Sequence, residues 1–180
     1  MKMKGFNMKD KNSKLIKLLI ALAVTGFLVT LLVVLFPNST RKASIGSSAT
    51  KIYNDMRTVY DASQRYSAQI GGPTTDIESL IKSRYLTVAP VPPPSVKAEG
   101  YGGFYNYSID SATHNAFKTA AADAVVMLIG LNDTVCQKFN EKYAAAVPGA
   151  PIPTAVDYTK DTQCFNNGTN NLALRIIYAK

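Results

Sequence analysis

Residues that carry chemistry are scarce in this sequence: its 180 residues include one histidine, two cysteines and no tryptophan. One imidazole and two thiols exclude most metal sites that a chain can assemble alone. His114 sits in a polar stretch that no motif frames and reads as a solvent-facing loop residue. No serine occupies a G-x-S-x-G elbow. Gly100, Gly102 and Gly103 precede no helical pattern, so they are not a phosphate loop. No internal repeat is visible. Nothing here frames an active site, and no cofactor is expected; an enzyme is the weakest reading.

Charge is also scarce once it is divided along the chain. The formal net charge is +8, but residues 1–17 hold six lysines against Asp10, and Arg41 and Lys42 follow. Residues 43–180 are nearly neutral. Clustered Lys and Arg in the folded part would be needed to track phosphates, so no nucleic acid is expected on that domain.

What the sequence does contain is one long apolar run. Leu18 to Phe36 carries no charge over 19 residues. As a helix it spans roughly 28 Å, close to the hydrocarbon thickness of a bilayer. Lys17 can snorkel to the headgroups, and the lysine-rich flank predicts the N-terminus inside and residues 38–180 outside. A cleavable signal peptide is the alternative. Its apolar region runs about 7–15 residues and ends in small residues; this run is longer and ends VLFPNSTRK.

After Pro37 a stripe begins. Ile45, Ala49, Ile52, Met56, Val59, Ser63, Tyr66 and Ile70 follow alternating steps of four and three, which places them on one seam of a helix. Asp55, Arg57, Asp61 and Arg65 fall on other faces. Gly71-Gly72-Pro73 stops the pattern. Such a seam serves either a coiled coil with another copy or a helix laid across its own domain. Tyr66 and the small Ala49 and Ser63 favour the second. Anchor and stalk together would form a helical rod of roughly 80 Å, loosened at Pro37.

The remainder reads as a small α+β domain. A short helix is expected over 74–86, capped by Thr75 or Asp76, followed by an extended proline-rich connector. Strands are expected at 100–110, 124–131 and 172–178, with a further short piece around Phe117. The segment 124–131 is continuously apolar and therefore central. Thr134–Gln137 fits a capping box for a helix reaching about Ala145, with Val135, Phe139 and Tyr143 inward. So few strands are expected to bury one face, covered by the stalk stripe. Cys136 and Cys164, both on the outer side of the membrane, are expected to form one disulfide, worth roughly 3–4 kcal/mol in chain entropy. Two free thiols are the alternative.

The expected domains are therefore 1–17 (basic, cytoplasmic), 18–36 (transmembrane), 37–72 (stalk helix) and 73–180 (globular). This order resembles a type IV pilin, in particular the type IVb subgroup. The resemblance is sharpest at TTDIESLIKSRYLTVAPVPP, GLNDTVCQKFNEKY and DTQCFNNGTNNLALRIIY. It implies a pilus subunit whose N-terminal helix sits in the inner membrane and later packs with other pilin subunits, handled by the pilus assembly machinery. The globular domain would be periplasmic, or extracellular on the pilus. Gly5-Phe6 resembles the prepilin cleavage point, and Asp10 is the acid that would stand in for the family's glutamate. Asp10, however, precedes the apolar run. With Pro37 aligned on the family's kinking proline, the glutamate position falls near Ile20, which points to a minor subunit. A membrane-anchored assembly factor or binding module that never polymerises is the alternative.

Overall fold

A computed structural model describes residues 17–27, 37–72, 74, 76–110, 123–157 and 159–178. The chain divides into two compact units, Met1–Ala43 and Ser44–Lys180. In the first, residues 17–27 form a helix (α1) whose large apolar side chains are exposed. Among the described residues no helix is long and apolar enough to cross a membrane. The second half of the expected span, 28–36, lies outside them, as do Gly5, Phe6, Asp10, Phe117 and His114.

The elements that follow are α2 (Pro37–Ile70), α3 (Ile77–Lys82), β1 (Ser108–Asp110), β2 (Ala124–Leu131), α4 (Asp133–Tyr143), β3 (Thr162–Asn166) and β4 (Asn171–Ile177). The strands form one antiparallel sheet in the order β1-β2-β4-β3, so the protein is α+β with β2 and β4 inside. The apolar run of β2 suits a strand whose two faces are both covered.

Helix α2 runs for 34 residues. Gly71, at φ +95°, takes the left-handed turn that ends it and donates its N–H to Ser67 O. Ala49, Ile52, Met56, Val59 and Ser63 are wholly buried, and Ile45 and Tyr66 are half-buried. The stripe joins Val126 and Leu128 of β2 and Ala173 and Ile177 of β4 in one apolar core. Burying a Val-, Ile- or Met-sized side chain stabilises by about 1.5–3 kcal/mol each, so these contacts fix the helix on the sheet. Ile70 departs from the expected stripe. It is 63% exposed, because the seam runs out at the last turn before Gly71. Asp55 departs in the other direction: it is half-buried and accepts a hydrogen bond from the Tyr107 hydroxyl at 2.9 Å.

Other expectations are corrected as well. The sheet buries both faces: Val125, Met127, Phe165, Leu172, Leu174 and Ile176 form a second core, with Ile129 and Val156 at its margin. The expected strand over 100–110 shrinks to Ser108–Asp110. Segment β3, where no strand is expected from the sequence, is a strand paired to β4 from Thr162↔Arg175 to Asn166↔Asn171. Helix α3 is six residues long, capped by Asp76, and closes where Arg84 turns left-handed at φ 60°. Helix α4 starts earlier than expected, because Asn132 caps it through Val135 N at 3.0 Å in place of Thr134.

Candidate functional site

Four features stand out: the exposed apolar segment, the cystine seam, a partly buried arginine and a polar cleft. In the first, Leu18, Leu19, Ile20, Leu22, Val24 and Phe27 are each more than half exposed. Six large apolar side chains displayed along eleven residues form a surface that water disfavours.

The cystine seam ties α4 to β3. Cys136 and Cys164 are joined, with Cα atoms 5.5 Å apart. One helical turn beyond Cys136, Asn140 is buried and spans the same seam. Its Nδ2 donates to Cys164 O at 2.6 Å, and its Oδ1 accepts from Cys164 N at 2.7 Å. The side-chain amide thus behaves as a partner strand one residue long. On its other side α4 meets α2. Tyr143 stacks on Tyr53 with ring centroids 4.0 Å apart, and Lys142 Nζ donates to Gly46 O and Thr50 Oγ1, each at 3.0 Å. Lys138 pairs with Glu141, which holds the Glu141 carboxyl below its ordinary range, helped by the Gly149 N–H.

Beneath α2 lies a cation that the strand pattern of LALRIIY did not signal. The Arg175 guanidinium sits 4.4 Å from the Tyr60 ring centroid and 5.5 Å from that of Tyr53. Its Nε and one terminal nitrogen are buried without hydrogen bonds. The faces of Tyr60 and Tyr53 give this charge an electrostatic partner.

The cleft opens where β2 ends and α4 begins. It has a volume of about 280 Å³ and is lined largely by polar groups, including Glu99, Tyr101, Asp133, Asn166, Thr169 and Asn170. A register shift at Gly130 shapes it. Gly130 takes φ +92°, and a Cβ there would overlap the Tyr101 ring, so the ring packs on bare backbone. Ala98 N donates to Gly130 O at 2.7 Å and Asn132 N to Val96 O at 3.0 Å, which pins the 96–101 segment to the end of β2. From the other side, Asn171 Nδ2 donates to Asp133 Oδ1 at 2.6 Å and to Leu131 O at 3.2 Å. Asn166 Nδ2 donates to Asn171 Oδ1 at 3.0 Å. Next to the cleft, Lys97 Nζ lies 5.6 Å from the Tyr101 centroid and 5.8 Å from that of Tyr105. Burial pushes the Tyr105 hydroxyl up to about 12. Tyr107 is pushed up further, first by burial and then by the negative charge of Asp55.

Among the described residues no group of three His, Cys, Asp or Glu side chains converges on a point. The sequence signals the cystine and most of the stripe directly. It gives no signal for Asn140, Arg175 or the cleft, whose walls come from segments about seventy residues apart in the chain. No protein-family model, no curated protein and no solved structure matches this chain.

Proposed function

We propose that the protein is a pilin-like structural subunit, of minor rather than bulk type, held in a membrane by its apolar N-terminal segment. The observation that carries this reading is a contrast between two helices. The stripe of α2 is consumed by the chain's own sheet, with Ile52, Met56 and Val59 fully buried. The apolar side chains of α1, from Leu18 to Phe27, remain exposed. Exposed apolar helical surface of this kind needs lipid or the equivalent helices of other subunits. The cystine Cys136–Cys164 supports an oxidising compartment for the folded unit, hence an inner-membrane protein with its N-terminus cytoplasmic and its domain periplasmic. In this reading the partners are the bilayer, other pilin subunits and the pilus assembly machinery, and the role is structural rather than catalytic.

A second reading, a membrane-anchored assembly factor or binding module that does not polymerise, is favoured by Ile20 standing where the family's docking glutamate is expected. In-membrane crosslinking separates the two. A ladder of pilin partners supports the subunit, and its loss in an Ile20→Lys variant strengthens that reading. A monomer, or one fixed receptor complex, supports the module. Mass spectrometry of the mature N-terminus adds the processing state: cleavage after Gly5 with a methylated Phe6 is the expected product for a pilin. Purified pili that contain none of this chain, together with unchanged piliation on deletion, would overturn the subunit reading.

A further inference from the structure

The cleft between the end of β2, the 96–101 segment and the β3–β4 turn plays no part in membrane anchoring or helix packing. We propose that it is a binding site for a neutral saccharide, taken as a single pyranose ring. Its volume, about 280 Å³, lies at the lower end of the range for ligand pockets, roughly 300–1,000 Å³, and so suits one ring.

The chemistry of the lining selects the ligand class. Glu99 and Asp133 contribute carboxylates while no lysine or arginine lines the cleft, so phosphates, sulfates and acidic sugars are repelled. Lys97, stacked over Tyr101 just outside the lining, offsets part of the negative charge and favours a neutral ligand over a cation. Apart from Tyr101, the apolar lining is only Ala98 and Leu131, too little to hold an apolar molecule.

Several polar groups here are unused by the protein. Among the described residues, the Glu99 carboxylate, the Thr169 hydroxyl and the Asn170 side-chain amide make no side-chain hydrogen bond, and Asp133 shares only Oδ1, with Asn171. Acceptors therefore exceed donors, which calls for a ligand rich in hydroxyl donors. Tyr101 supplies the remaining element. Its ring, fixed because it packs on Gly130, contributes apolar surface to the lining, and a pyranose has apolar C–H groups to set against it.

The test uses the full-length chain in a detergent without a sugar headgroup, titrated with glucose, galactose, mannose and N-acetylglucosamine and followed by amide NMR. At least one of the four should shift the amides of Gly100, Tyr101, Thr169 and Asn170 in a saturable way. Glu99→Gln, Asn170→Ala and Tyr101→Ala should each weaken that binding about tenfold, the loss of one good hydrogen bond or contact, with the urea midpoint unchanged in the first two. The proposal is overturned if none of the sugars acts at about 100 mM, a concentration that reveals even very weak sites. It is equally overturned if calcium or a lysine-containing tripeptide moves the same amides at lower concentration than any sugar. Unchanged affinity in all three variants would also overturn it.

Discussion

Asn140 and the cystine hold the same seam, and their energetic relation can be worked out from the structure. Removing the disulfide with Cys136→Ala and Cys164→Ala frees a loop whose ends are 28 residues apart. The chain-entropy relation gives a loss of about 3.5 kcal/mol for a loop of that size. Asn140→Ala leaves the N–H and C=O of Cys164, both inside the seam, without partners. Each orphaned buried group costs about 1–3 kcal/mol, so the substitution should cost about 2–6 kcal/mol. The two losses should not add. Once the cystine is gone, α4 can part from β3 and water can reach Cys164, which makes the Asn140 amide worth less. A coupling of about 1 kcal/mol or more is expected, within the range for groups that share a structural element. Urea unfolding of the oxidised full-length chain and its three variants, followed by far-ultraviolet circular dichroism, measures the cycle. A loss below about 0.5 kcal/mol for Asn140→Ala, the level of an ordinary surface change, would refute the reasoning. Strict additivity would refute the shared seam.

Other outcomes follow from burial and charge. Met56→Ala, at a wholly buried position, should cost about 2–5 kcal/mol, whereas Ile70→Ala should stay within about 0.5 kcal/mol; thermal unfolding distinguishes them. Tyr107→Phe removes a hydrogen bond to a charged partner and should cost about 1.5–3 kcal/mol in the same assay. Tyr105 and Tyr107 ionise less readily folded than unfolded. Their contribution is therefore complete below the unfolded tyrosine value of about 10 and is lost as pH rises, for Tyr105 between about pH 10 and about 12. Alkaline unfolding curves should shift to higher pH in Tyr105→Phe; an unchanged curve would contradict the assignment. Asn132→Ala removes the α4 cap and should cost about 1 kcal/mol by urea unfolding.

The legible parts of the fold are those set by a single local period. The 3.5-residue stripe located α2 and most of its buried face, the unbroken apolar run located β2, and the largely apolar LALRIIY located most of β4. The cystine followed from the presence of two cysteines on one side of the expected membrane. Elements decided by distant partners were not legible. Strand β3 reads TQCFN, polar at three of its five positions; its outer backbone groups are satisfied by Asn140 and by Pro153 O, which no local pattern encodes. Phe104 and Tyr105 suggested a longer β1, yet Tyr101 is drawn onto Gly130 and Tyr105 bonds Pro93 O, so the chain bends instead. Ile70 obeys the period but lies past the point where the helix has anything to cover. The cleft needed two loops to meet, and its residues are individually ordinary turn formers.

One consequence of the seam concerns how copies of this chain can meet. A sheet border normally invites a neighbour's strand to continue the ladder, the route by which β-rich proteins coalesce. Along β3 that invitation is withdrawn: the outward amide and carbonyl of Cys164 are taken by Asn140, and the outward amide of Asn166 by Pro153. Growth by strand addition is hindered along that flank, and the opposite border of the sheet, β1, is only three residues long.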